Sequence, residues 1–398
     1  MSEVSERLKV PLWLLTLFTF SGTLAMHIFV PALPHAAEDL GASISTMQMT
    51  VSLYILGLAF GQLIYGPASD RFGRRPTLMV GLAVYAVAGL AAALAPSAHE
   101  LIAARLFQAL GGCAGLVLGR TIVRDTSSAT DSAKRLAVMN LMVTVGPAVA
   151  PLLGAGLADT LGWRSIFYML SAFGLFNLIF AWRLLPETAP PSSNSGGGAF
   201  LRHGAMLLKS PAFLGFSVGG GCATTAMYAF VASAPFIFTR QLGRPAHEVG
   251  FYLAFMIFGI WLGSAIVSRL IGRVPMEKLL IRGNLLSAVA ALTFLATVLT
   301  GQLSVAATMA CMFGFTMGVG IASPPALTLA MSVNSRVIGS ASGLYGCIQM
   351  SVGAVCTALA GLGSNPALAA ASVLAVAGLV AQGSFWMALR KSRTTALR

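Results

Sequence analysis

The sequence predicts an all-α membrane protein, with twelve transmembrane helices arranged as two pseudo-symmetric six-helix bundles. Three observations predict it. Hydrophobic residues make up 57% of the 398 residues, only 9% are charged, and the mean hydropathy is +0.82; a soluble chain carries roughly a quarter charged residues. The apolar residues fall in twelve continuous runs, each near the ~20 residues that a helix needs to cross a bilayer. Lysine and arginine gather on alternate connections between the runs, as short loops on the cytoplasmic side do.

Several classes are excluded at the same time. The runs are continuous rather than alternating, which argues against a β-barrel. The net charge of +13 is accounted for by basic membrane-flanking loops, so it does not indicate nucleic acid. Five cysteines, Cys113, Cys222, Cys311, Cys347 and Cys356, all lie inside apolar runs with no CxxC pair, so neither a disulfide nor a metal site is expected. The N-terminal apolar run is long and continues into further spans, unlike a cleavable signal. No GxxxxGK[ST] loop, HExxH or GxSxG occurs. The expectation is therefore no ATP-driven engine, no cofactor and no enzyme activity.

Taken in order, the candidate spans are residues 11–34, 45–66, 76–95, 99–121, 134–158, 163–185, 211–238, 247–270, 278–300, 303–328, 338–361 and 366–390. In the first, Pro31 and Pro34 loosen the outer end. The second and third flank the turn from Gly66 to Leu78, GPASDRFGRRPTL. Its arginines Arg71, Arg74 and Arg75 assign that turn to the cytoplasm. Pro76 opens the third span and Pro211 the seventh, both at first-turn positions. Ser97 to Glu100, before the fourth span, has the S-x-x-E form of a capping box. The fifth span carries Gly146, Pro147, Pro151 and Gly154, small residues and bends that suit a hinge or a tight seam between halves.

Counting crossings from a cytoplasmic N-terminus puts twenty-one of the 25 basic residues on the cytoplasmic side. Only Arg164, Arg240 and Arg244 fall outside, with Arg105 within a span. Both termini are then cytoplasmic. Pro190 to Gly198 has a flexible-linker composition. It divides the chain into a bundle at 1–189, a cytoplasmic linker at 190–208 and a second bundle at 209–398. At an offset of 202, Leu40-Gly41 falls on Leu242-Gly243, Gly57 on Gly259, Gly61 on Gly263, Arg71 on Arg273 and Gly81 on Gly283. Parallel six-helix repeats around a midplane chamber are one plan of secondary transporters.

Chemistry is sparse. All twelve acids lie at or beyond span ends, so the deep ionisable groups are Arg105 and His27. Burying Arg105 costs about 2.5–3.5 kcal/mol even on the lenient insertion scale, which calls for acceptors or a wet cavity. Gln108 follows three residues later on nearly the same face. His27 is the one group of this kind able to change charge near neutral pH. Both are expected to share one polar pocket and to couple protons. Met26, Tyr54, Met142, Tyr228, Phe236, Tyr252, Met256, Tyr345 and Gln349 are further candidates for its lining, the methionines being pliable surfaces. At the basic turn, Asp70, Arg71 and Arg74 with Asp125 are expected to form a cytoplasmic gate.

The loop from Gly66 to Arg75 resembles the G-x-x-x-D-R-x-G-R-R signature of the major facilitator superfamily. The run Arg105 to Gly111 resembles its fourth-helix motif, and Gly146 to Gly154 its antiporter motif. Val30 to Pro34, Arg120 to Asp125 and Gly162 to Phe167 are similar to the bicyclomycin/chloramphenicol-resistance type of drug:proton antiporter. The resemblance implies export of small, mostly apolar compounds in exchange for protons, by a monomer in a bacterial inner membrane. It further implies a link between Arg105 and proton coupling. Such exporters commonly carry an aspartate where this chain has His27. A cavity with no carboxylate disfavours cations and suits neutral or anionic compounds. The rival expectations are a transporter of one metabolite, such as an organic anion or nucleobase, a passive facilitator, and a membrane enzyme.

Overall fold

The computed structural model describes residues 10–188, 197–334 and 338–396, with a few side chains in those ranges, among them 141–144, left undescribed. Among the described residues, twelve helical segments are long and apolar enough to cross a membrane. The first is compound: α1 (Leu12–Ile28), a 3₁₀ turn (Val30–Ala32) and α2 (Leu33–Asp39). Pro31 and Pro34 explain the change of pitch, since neither can donate a backbone hydrogen bond to the preceding turn. The first bundle continues with α3 (Ile44–Phe72), α4 (Arg74–Ala93), α5 (Ala98–Thr126), α6 (Ala129–Leu161) and α7 (Arg164–Leu184). The capping expected before the fourth span is present on one side: Ser97 Oγ accepts from the Glu100 amide at 3.4 Å. The prolines of the fifth span lie inside α6, which runs on through both.

The residues proposed as a linker are partly helical: α8 (Gly197–Leu208) occupies their second part, and residues 189–196 lie outside those described. The seventh span is broken into α9 (Pro211–Thr224), α10 (Met227–Phe236) and a π turn (Ile237–Gln241). Ser210 caps α9 and Pro211 takes its first position, where no amide is missed. The second bundle closes with α11 (Ala246–Leu270), α12 (Met276–Leu299), α13 (Val305–Ser332), α14 (Ile338–Gly361) and α15 (Pro366–Ala396).

The halves repeat one packing scheme. In the first, α5 is central and touches α1, α3 and α4, while α4 also packs on α7. In the second, α13 touches α9, α11 and α12, while α12 packs on α15. The seam between halves is reciprocal: α3 packs on α14, and α6 on α11. Such a swap is what two parallel repeats related by a two-fold axis produce. The glycines paired in the sequence have the same tasks in both halves. Gly41 and Gly243 adopt φ of 57° and 61°, the left-handed region that glycine enters without steric cost. A Cβ at Gly57 would press on the Leu106 carbonyl of α5, and one at Gly259 on the Phe313 carbonyl of α13.

A close crossing holds α1 against α5. A Cβ on Gly115 would overlap the carbonyl oxygen of Phe18. Gly115→Ala is expected to push the helices apart and to cost about 1–3 kcal/mol, the range for overpacking a tight interior. Thermal unfolding in detergent reads this, and a midpoint equal to wild type would contradict the crossing.

Candidate functional site

The seam between halves encloses a small apolar cavity. His27 reaches it from α1, Pro147 and Pro151 from α6, and Met227 and Val231 from α10. Leu253, Met256 and Ile257 of α11 and Thr316 of α13 complete the walls. It has room for about one water molecule in this conformation. Glycine permits the close seam beside it: a Cβ on Gly250 of α11 would sit 2.9 Å from the Pro151 carbonyl of α6. Gly154 fits under the Ile28 carbonyl of α1, and Gly146 faces the Phe20 ring. Gly146 and Gly154 therefore pack α6 on α1 within the first half, and it is Pro151 that meets α11 of the second.

His27 is buried but not sealed, with 5% of its surface exposed. Its Nδ1 lies 2.9 Å from the Thr23 carbonyl oxygen of the preceding turn. The Tyr228 ring of α10, in the other half, is 6.1 Å away centre to centre.

Arg105 has 0% exposure and sits elsewhere. Its Nη1 donates to Gln108 Oε1 at 2.7 Å and its Nη2 to the Ala25 carbonyl at 3.0 Å. The guanidinium carbon is 4.0 Å from the Tyr54 ring centre, 5.7 Å from Phe29 and 5.6 Å from Phe167. Three aromatic faces stabilise the cation inside the first bundle. The expectation of one pocket shared by Arg105 and His27 is thus corrected. Ala25 and Phe29 are four residues apart and lie on one face of α1, toward Arg105. His27, two residues from each and so about 200° around the helix, faces the other way.

The same geometry redistributes the other candidates. Gln108 belongs to the Arg105 site, and Tyr54 is tied to it by the hydrogen bond from its hydroxyl to the Gly22 carbonyl at 2.8 Å. Met26 is buried without lining the cavity. Phe236 lies under Arg240, and Tyr252 stacks on Phe238 and donates to Glu248 at 2.5 Å, both toward the end of the bundle opposite the basic turn. Tyr345 and Gln349 of α14 pack on α9. Gln349 Nε2 donates to Thr224 Oγ1, and its carbonyl accepts from Thr225 Oγ1, both at 2.7 Å. Gln349 thereby braces the break between α9 and α10. The Met142 side chain lies outside the described residues. Of the proposed lining, His27 and Met256 face the cavity and Tyr228 abuts His27. Val231, Leu253, Ile257 and Thr316 carried no signal beyond being apolar or small.

At the basic turn, Arg74 joins three helices. Its Nη1 is 2.5 Å from Asp70 Oδ1, and its Nε donates to Asp125 Oδ2 at 2.9 Å. Glu187, just past α7, adds a link that sequence reading missed. Its carboxylate accepts from the amides of Arg74 at 2.8 Å and Arg75 at 3.2 Å. An anion on the first amides of α4 is favoured by the orphan donors and dipole there. Arg71 is exposed over Phe72 and stands apart from this cluster, contrary to expectation.

Across the far end of the seam, Gln48 of α3 donates to Ser233 Oγ of α10 at 2.9 Å, with 1% exposure. Gln48→Leu removes the donor to Ser233 Oγ, which keeps its own bond to the Ala229 carbonyl, and is expected to loosen this end. Amide hydrogen exchange in α10 is then expected to rise about fivefold or more, as local opening becomes easier. Unchanged exchange would contradict a latch.

The Major Facilitator Superfamily model matches residues 15–357. An uncharacterized MFS-type transporter of Bacillus subtilis (strain 168) is 30% identical over 385 residues, covering 96% of this chain and 95% of that protein. A bicyclomycin resistance protein homolog of Haemophilus influenzae is 27% identical, covering 83% of each chain. Among solved structures, a D-xylose-proton symporter superposes with a TM-score of 0.75 at 14% identity, over 93% of this chain and 96% of that one. That last likeness concerns the fold.

Proposed function

This chain belongs to the Major Facilitator Superfamily, and from that premise we propose that it exports small, mostly apolar compounds from a bacterial cytoplasm in exchange for protons. The basic turn and the linker face the cytoplasm in this reading, because arginine-rich short loops are retained there. The two halves rock about the seam and expose the cavity alternately to either side. The chain works as a monomer in the inner membrane, since each copy holds both halves of the seam.

One observation carries the proposal. His27, the only side chain among the described lining residues that can change charge near neutral pH, stands at the seam that must open and close. The gradient supplies enough drive. One pH unit is worth about 1.4 kcal/mol per proton, and each charge gains about 2.3 kcal/mol per 100 mV. The bicyclomycin resistance homolog supports a drug as cargo. Arg105 has a positioning role: it fixes α1, which presents His27. The Arg74 cluster and the Gln48 latch mark the two ends that alternate.

The test uses everted membrane vesicles energised to acidify their interior, with a panel of apolar antibiotics and dyes. Accumulation that stops when a protonophore collapses the gradient is expected. Equilibration at the same rate with and without the gradient, never exceeding the outside concentration, would overturn proton coupling and favour a facilitator.

A further inference from the structure

We infer that the Nε2 lone pair of His27 is the recognition point of the cavity, and that it selects compounds bearing a neutral O–H or N–H donor on an apolar body. The inference deepens the proposed efflux reading and rests on it for the direction of transport. A carbonyl oxygen only accepts, so the 2.9 Å contact from the Thr23 oxygen makes Nδ1 the protonated nitrogen. In the neutral ring Nε2 is then an acceptor. No described group donates to it. The Thr316 hydroxyl is already committed to the Met312 and Phe313 carbonyls, at 3.0 and 3.1 Å. The remaining walls are proline rings and aliphatic or thioether side chains. Among the described residues Tyr228 of α10 is the one other titratable group facing the ring, and none of the wall residues carries a charge. Arg105 lies beyond the α1 backbone, against Ala25.

An acceptor among apolar walls rewards a ligand that supplies a donor, in competition with about one water that the cavity can hold. A phenol, an amide or an alcohol supplies it. A quaternary cation has no hydrogen to give and meets no anion here. The proton and the ligand's donor compete for the same lone pair. When Nε2 takes a proton, the ring becomes a donor at both nitrogens, and a phenol or amide hydrogen faces a like N–H. Binding of donor-bearing compounds is therefore favoured above the histidine's pKa and lost as pH falls through it. Cargo enters when the halves separate, since this conformation leaves room for little more than water.

The experiment compares 4-phenylphenol with its methyl ether, 4-methoxybiphenyl, on the purified full-length protein by equilibrium dialysis. At about pH 8 the phenol is neutral and is expected to bind about tenfold tighter than the ether. At the acid end of a pH series taken down from there, where the ring is charged, the preference is expected to vanish. His27→Gln keeps an acceptor oxygen and is expected to prefer the phenol at both pH values, whereas His27→Leu is expected to bind the two alike. Equal binding to wild type at pH 8, or a preference that stays constant down the whole pH series, would overturn the inference. Vesicle transport of the same pair separates the two readings. Gradient-driven transport without a phenol preference sinks the recognition and leaves efflux standing. A phenol preference in binding without gradient-driven transport does the reverse.

Discussion

Arg105→Lys is expected to lower gradient-driven transport by about tenfold or more while the protein still inserts and folds. The guanidinium does three things at once that an ammonium cannot. It donates to Gln108 and to the Ala25 carbonyl from separate nitrogens, and it lies flat enough to meet the rings of Tyr54, Phe29 and Phe167. Lysine is a point charge with no fork and no plane. Hydrogen bonds to a charged group contribute about 1.5–3 kcal/mol each, so losing one accounts for about a tenfold effect or more on any step that needs α1 held in place. Because Arg105 acts through α1, the rate is expected to fall with the pH midpoint of transport retained. A lysine variant with wild-type rates would contradict the positioning role, and a displaced midpoint would make Arg105 a direct partner in proton exchange.

Arg74→Ala is expected to reduce transport about fivefold or more. Its side chain, 12% exposed, neutralises Asp70 and Asp125 on two different helices. Removing it takes away the guanidinium that these two carboxylates share. The surface share of these pairs is worth only about 0–1 kcal/mol. The larger effect comes from like-charge repulsion in the one conformation where the cluster closes, which shifts the population away from it. Glu187 is expected to stay in place, because it holds the backbone amides of Arg74 and Arg75 rather than the side chain. Initial rates in vesicles test this, and a rate unchanged by Arg74→Ala would make the cluster a static surface feature.

The twelve spans were readable because bilayer thickness forces long apolar runs and because loops sort by charge. The duplication was readable because close helix crossings demand glycine at matching places. Gly41 with Gly243 and Gly57 with Gly259 keep their conformation or contact in both halves. Three features were not. The break after Thr224 has no proline to announce it and depends on Gln349 from a helix far along the chain. Glu187 has no local motif, since what it caps is the start of α4, brought near only by folding. Most instructive are Arg105 and His27. Both were recognisable as the deep ionisable groups. Which face of α1 each would meet depends on which neighbour packs there, and helical periodicity alone does not name the neighbour.

The central claim is that a single titrating lone pair, on His27 at the seam, exchanges a proton for cargo. Proton release on ligand binding, followed with a pH indicator in weakly buffered detergent solution, tests it most directly. Across the pH range in which the histidine titrates the account predicts net proton release on adding a phenolic ligand, almost none at about pH 8, and none from His27→Gln at any of these values. The same release from His27→Gln as from wild type would contradict it.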